Sequence, residues 1–154
     1  MEINPNSRYM QLYDWSRVKD PITSEQLTQW LVALRSGHYE QTLSALKEII
    51  YENDQGECTY GFCCLGVLND LYPVENLYDT CFLKSFENEF ELPNNLQELL
   101  ANLNDSGGSF SSIADEIEKG FTQDATADDI YYYKLDNDLL EPEEYRPEHM
   151  ELDY

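Results

Sequence analysis

Any fold open to this chain must keep 31 carboxylates in water and apart, with 9 basic residues to pair with them. The net charge is −22 over 154 residues, and it is regional. Residues 1–50 carry −1, residues 51–114 carry −10 and residues 115–154 carry −11. An acid excess of this kind excludes binding to a phosphate backbone as the main activity, because nucleic-acid readers present a basic footprint. It also disfavours anionic lipid surfaces, which attract Lys and Arg clusters. The apolar content is still 42%, with 13% aromatic, enough for a core at a length that suggests one domain. No apolar stretch approaches the ~20 residues of a membrane span. Met1 is followed by Glu2 and polar residues rather than a basic and then apolar leader, so the expected location is the cytoplasm.

The first helix is the best marked. Thr23 and Gln26 form a Thr-x-x-Gln capping box, Leu27, Trp30, Leu31 and Leu34 follow at helical spacing, and Gly37 stands where a helix ends. Residues 43–51 turn β-branched toward Ile49 and Ile50, Asn53-Asp54-Gln55-Gly56 reads as a turn, and 58–62 as a returning strand. Cys63 to Leu71 is an apolar run of helical length ending before Pro73, with Gly66 inside it as the mark of a close packing contact. Pro93 and Asn94 open a helix carrying Leu96, Leu99, Leu100 and Leu103. Ser109 opens another with Phe110, Ile113, Ala114 and Ile117, expected to stop at Gly120. The fold class is therefore α+β: a compact, mainly helical core of about four helices with a small β-hairpin. Trp30, Leu34, Leu65, Leu68, Leu100, Ile113 and Ile117 should meet in one core.

Beyond Gly120 the character changes. Thr126 to Tyr133 looks strand-like, with acids ahead of three tyrosines, and residues 136–154 are acidic and broken by Pro142 and Pro147. The expected organisation is a core domain over 1–120 and an acidic, Tyr-rich extension over 121–154. Leu139, Leu140, Tyr145, Met150 and Tyr154 would let that extension pack on the core, since disordered tails are poor in such residues.

Motifs for chemistry are sparse. Cys58, Cys63, Cys64 and Cys81 have the wrong spacing for a zinc site, with His38 twenty residues from Cys58. They read as reduced, buried, metal-free thiols. Asp136-Asn137-Asp138 with Glu141 departs from a calcium loop at the third ligand and the glycine. Phosphate loops, His-Glu-x-x-His and Gly-x-Ser-x-Gly are absent from the sequence. Arg35 and His38 beside Gly37 suit a helix C-terminus through the dipole alone. The expectation is a protein that is not an enzyme and uses no cofactor.

Two stretches carry a resemblance. One is Trp30-Leu31-Val32-Ala33-Leu34-Arg35-Ser36-Gly37-His38-Tyr39-Glu40-Gln41, followed after a gap by Phe62-Cys63-Cys64-Leu65-Gly66-Val67-Leu68. The other runs from Leu100-Ala101-Asn102-Leu103-Asn104-Asp105 through Ser109-Phe110 to Ile113-Ala114-Asp115-Glu116-Ile117-Glu118. Together they resemble a pattern found in small phage and prophage proteins. The resemblance implies a phage-encoded accessory protein and brings no catalytic residue. Residues 72–91 and 123–154 lie outside the pattern, as do many of the excess acids.

Charge density is the feature that points to a function. A chain of this length packs to a diameter of roughly 38 Å, and duplex DNA of that length carries roughly 22 charges, matching the net −22. The expected activity is inhibition by nucleic-acid mimicry: the protein would occupy the basic cleft of a host restriction enzyme, nuclease or CRISPR effector. The expected contact surface comprises Glu75, Asp79, Glu87, Glu89 and Glu91, with Asp128, Asp129, Asp136, Asp138, Glu141, Glu143 and Glu144. Tyr131, Tyr132 and Tyr133 would supply aromatic anchors within it. The partner is a host protein, with no direct nucleic acid and no membrane, and the oligomeric state is open, a homodimer included. The alternatives are an acidic adaptor gripping a host protein through aromatics, and a small enzyme or ligand-binding protein centred on the Cys63/Cys64 helix.

Overall fold

The structure, a computed structural model, describes residues 1–43, 45–73 and 91–136. The helix α2 (Ser24–Arg35) begins where the sequence places it. The Thr23 hydroxyl accepts from the Gln26 amide at 3.1 Å, and the Thr23 amide donates to Gln26 Oε1 at 3.0 Å. Together they satisfy two of the four amides that a helix start leaves without partners. A short helix α1 (Arg8–Leu12), capped by Ser7, precedes it. Three strands follow: β1 (Glu40–Gln41), β2 (Lys47–Glu52) and β3 (Cys58–Phe62).

These strands form one sheet in the order β1-β3-β2. The hairpin expected around Asn53 to Gly56 pairs β2 with β3 antiparallel, from Lys47 opposite Phe62 to Glu52 opposite Cys58, with a bulge between Ile49 and Tyr51. Asn53 builds the turn with its side chain, accepting from the amides of Gln55 and Glu57 at 3.0 and 2.9 Å. The two-residue β1 adds a parallel pairing on the other side of β3, which periodicity could not reveal over so short a stretch.

The apolar run becomes helix α3 (Cys64–Leu71), every residue from Cys64 to Asn69 buried. Its cap is Cys63, whose sulfur accepts from the Gly66 amide at 3.4 Å. Gly66 is the expected close contact: a Cβ there would collide with the Leu46 carbonyl. Helix α4 (Asn94–Asp105) and helix α5 (Phe110–Thr122) complete the core. All seven residues expected to meet belong to one buried cluster. The fold is the α+β architecture that the patterning predicts, with six helices and a three-stranded sheet among the described residues.

Two expectations change. Helix α5 runs through Gly120 to Thr122, because Gly120 is where the Tyr9 ring lies against the helix, and any Cβ there would strike that ring. Phe121 then enters the core, its ring 5.1 Å from that of Tyr9, edge to face. The strand-like stretch around Thr126 to Tyr133 is instead helix α6 (Ala127–Asp136). A reciprocal cap decides it: the Thr126 hydroxyl accepts from the Asp129 amide, and Asp129 Oδ2 accepts from the Thr126 amide, both at 3.0 Å. Asp128 and Asp129 in its first turn and Lys134 in its last suit the helix dipole. The N-terminal segment laces this region to the body, with the Asn4 amide donating to the Phe121 carbonyl at 2.8 Å and the Ala125 amide to the Asn6 carbonyl at 2.9 Å.

Inside, the stretches that carry the sequence pattern are bound to one another. Asn104, fully buried, accepts from Gln41 Nε2 at 2.8 Å and from the Cys64 amide at 3.2 Å, and donates to the Thr42 carbonyl at 2.8 Å. Gln41 also donates to the Gly108 carbonyl at 2.7 Å. Trp30 Nε1 donates to the Cys64 carbonyl at 2.9 Å, and the Tyr39 hydroxyl to Asp70 at 2.7 Å. Most of the quoted pattern is thus core and cross-bracing. Among the described residues no helix is long and apolar enough to cross a membrane.

Candidate functional site

A cleft of about 770 Å³ opens between α1, α4 and α6. Helix α4 presents Asn95, Glu98, Leu99 and Asn102 to it, which are i, i+3, i+4 and i+7 and so form one stripe. Helix α6 presents Asp128, Asp129, Tyr132 and Tyr133 from two successive turns. Helix α1 and its exit supply Arg8, Leu12 and Tyr13. The lining therefore holds three carboxylates, one guanidinium and three phenol rings.

The electrostatics follow from the cap of α6. The backbone amide of Thr126, together with its hydroxyl, holds the Asp129 carboxyl below the usual carboxylate range, so it is ionised throughout neutral pH. Burial pushes the Tyr13 phenol upward, with Arg8 opposing and Tyr133 adding to the rise. Tyr13 stays a neutral hydroxyl donor beside the acids. Such a cleft, negative with aromatic walls, suits a Lys or Arg side chain: carboxylates pair with the charge and rings flank the stem or the guanidinium plane.

The expected contact residues separate into four groups. Asp128, Asp129, Tyr132 and Tyr133 are brought together at the cleft, Tyr132 being exposed. Tyr131 is buried, so it is no anchor for a partner; its ring stands edge-on to Tyr132 at 5.4 Å. Glu91 is also buried, in the left-handed region at φ 64, because its backbone is clamped on both sides. Its amide donates to the Lys19 carbonyl and its carbonyl accepts from the Ile22 amide, each at 2.9 Å. Asp136 closes α6. Glu75, Asp79, Glu87, Glu89, Asp138, Glu141, Glu143 and Glu144 lie outside the described residues, as do Cys81 and the apolar positions of the tail. Glu98 and Tyr13 were missed by sequence reasoning. The signal for Glu98 was available, since it shares the helical stripe with Asn95 and Asn102.

Burial raises the Glu91 carboxyl from 4.5 to about 7, with the Asp20 carboxylate adding to the rise. A raised carboxyl binds its proton more tightly folded than unfolded. Its contribution is therefore complete below about pH 4.5 and is lost as pH climbs through 7. A shift of that size is worth ~3 kcal/mol at most, and solvent screening lowers it to about 1–2 kcal/mol. Glu91→Gln should remove this component, so the stability difference between variant and wild type should grow in the variant's favour from pH 4.5 to 7.5. Urea titrations across that range read it; parallel curves would mean that Glu91 does not titrate there.

The thiols of the alternative, ligand-binding reading are poorly placed for chemistry. Burial pushes Cys63 up to about 11 and Cys64 well above the ordinary thiol range, so neither supplies a thiolate near neutral pH. Cys58 is half-buried in β3, and among the described residues Cys58, Cys63 and Cys64 are free. Arg35 reaches from the end of α2 to α5, at 2.8 Å from Asp115 and 3.2 Å from Glu118.

Comparison with known proteins adds one match. A family model described as a domain of unknown function (DUF8296) matches residues 22–92, from the start of α2 through the sheet and α3 to the entry of α4. No curated protein matches the chain, and no solved structure matches it. The matched stretch ends before α4, so the whole of the cleft's acidic wall lies beyond it.

Proposed function

We propose that this protein is a phage-encoded acidic inhibitor that occupies the basic nucleic-acid cleft of a host defence protein and engages its Lys and Arg side chains through the α1–α4–α6 cleft. The observation that carries this reading is the convergence of Glu98, Asp128 and Asp129 with Tyr13, Tyr132 and Tyr133 around one open space. The net −22 supplies long-range attraction to such a partner, but attraction alone gives neither register nor residence time. Rigid tyrosines beside ionised carboxylates give both. Glu98 and Asp128 lie outside the braced core, so a functional surface can change there without disturbing the scaffold, whereas Asp129 also caps α6.

The test is competition. Host proteins that bind a labelled duplex are mixed with the full chain, and release of the duplex is measured at low and high salt. Wild type should displace it, with potency falling steeply as ionic strength rises. The double variant E98K/D128K, which leaves the Asp129 cap of α6 in place, should displace it at least about tenfold less well, since two attractive contacts become repulsive. If that variant displaces as well as wild type, the cleft is not the contact surface. If potency ignores salt but disappears with Y132A/Y133A, the aromatic adaptor reading replaces the mimic.

A further inference from the structure

Three carboxylates line the α1–α4–α6 cleft, but they do not gather at a point. Glu98 stands on α4, and Asp128 and Asp129 on the first turn of α6. Among the described residues no group of three acids, histidines or cysteines is arranged to hold a metal ion. Apart from Arg8 and two asparagines, the rest of the lining is two leucines and three tyrosine rings. Such walls offer little to a hard divalent cation, which needs about six or more oxygens close around it. They suit a cation whose charges are held apart by methylenes. Carboxylates take the ammonium groups, while the leucines and rings pack on the methylenes and face the charge. A space of about 770 Å³ is of the size that takes an organic ligand. The charge balance selects the number of ammonium groups: three carboxylates less one guanidinium leave −2. Arg8 belongs in that sum because its field reaches both sides. The Thr126 bonds lower the Asp129 carboxyl and Arg8 adds to that; burial raises the Tyr13 phenol and Arg8 opposes it.

We propose that the cleft binds a linear aliphatic diamine, one ammonium at Glu98 and the other at Asp128 and Asp129, and that a bound diamine excludes the partner's Lys and Arg side chains. The exclusion rests on the reading of the cleft as the partner contact; the diamine site follows from the lining and its charge alone. An ion atmosphere around a −22 chain also gathers polyvalent cations, but that attraction follows net charge and hardly notices one residue. Binding in the cleft follows the residues that line it. Arg8 separates the two. Losing its charge moves the whole chain only from −22 to −23 but moves the cleft from −2 to −3, the charge of a triamine's counterpart.

Calorimetric titration of the full chain with putrescine, with butylamine and magnesium as references, reads the result at about 0.15 M salt. Putrescine should fill one site and bind at least about tenfold tighter than butylamine, because it makes two charge-assisted contacts instead of one. It should also bind more tightly than magnesium. E98Q and D128N should each weaken it about fivefold or more. E48Q removes an exposed acid of β2 that does not line the cleft and should leave binding within about twofold of wild type. R8Q should tighten putrescine about threefold and the triamine spermidine by more. Circular dichroism checks that each variant keeps its fold. In the duplex competition, putrescine should lower the potency of the chain in step with its occupancy of the site. Putrescine no tighter than butylamine or magnesium, equal losses in E98Q, D128N and E48Q, or an R8Q variant that binds both amines as wild type does would each overturn the diamine site. Duplex displacement by a chain that binds no putrescine sinks this site and spares the partner reading. Putrescine binding of the expected pattern in a chain that displaces no duplex upholds the site and sinks the partner reading.

Discussion

Trp30→Ala should lower the free energy of unfolding by about 3–5 kcal/mol, the range for truncating a large buried aromatic. The indole is fully buried within α2, and two separate costs combine there. Removing the ring empties space between helices that cannot close in without moving their backbones. Removing Nε1–H also takes away the 2.9 Å hydrogen bond to the Cys64 carbonyl in the first turn of α3, worth about 0.5–1.5 kcal/mol net. Trp30→Phe separates them, since it keeps most of the apolar contact and loses the donor, and should cost about half as much. A single domain commonly has 5–15 kcal/mol of stability, so the alanine variant should approach marginal stability near body temperature. Chemical denaturation of both variants checks this, and a loss below 1 kcal/mol for Trp30→Ala would place the indole outside the core.

The parts legible in the sequence were those where one local rule decided the outcome. Thr23 and Gln26 fix the start of α2 whatever surrounds it, and the Leu27–Trp30–Leu31–Leu34 stripe fixes which face is buried. Asn53 and Gly56 mark a hairpin because no other short structure uses them so well. Gly66 announced a close approach but not its partner, the Leu46 carbonyl, which depends on how the sheet meets α3. The misreadings came where two rules competed. Ile130 to Tyr133 has β-favouring side chains, but the Thr126–Asp129 cap and the burial of Tyr131 set the backbone helical, and tertiary context outweighs strand propensity. Gly120 looked like a stop because glycine ends helices; the Tyr9 ring that needs its bare surface comes from the far end of the chain. The cleft was half visible. The α6 acids and tyrosines stood out by composition, whereas Glu98 and Tyr13 join them only once α1, α4 and α6 are set side by side, and no local pattern states that arrangement. Glu91 was read as one more surface acid because nothing in its neighbours signals a clamped, left-handed backbone.

Asn104→Ala should cost about 3 kcal/mol or more, although it removes only a small polar side chain. The reason is the number of buried partners it serves. Its oxygen accepts from the Cys64 amide and from Gln41, and its amide group donates to the Thr42 carbonyl. Gln41 keeps the Gly108 carbonyl as a partner, so the Cys64 amide and the Thr42 carbonyl bear the loss, at about 1–3 kcal/mol each. These contacts join the end of α4 to the start of α3 and to the chain after β1, so the variant should unfold less cooperatively as well as earlier. Asn104→Asp tests the cause rather than the size. A carboxylate of nearly the same shape still accepts from Cys64 and Gln41 but cannot donate to Thr42, and its charge would be buried next to Asp105. Burial and the neighbouring acid both raise the pKa of the new carboxyl. Its protonated form restores a donor, so the deficit relative to wild type should be smallest below the ordinary carboxylate range near pH 4 and should widen as pH rises toward 7. The comparison with wild type cancels the general effect of titrating the other acids. A deficit independent of pH would mean that Asn104 matters for its volume and not for its hydrogen bonds.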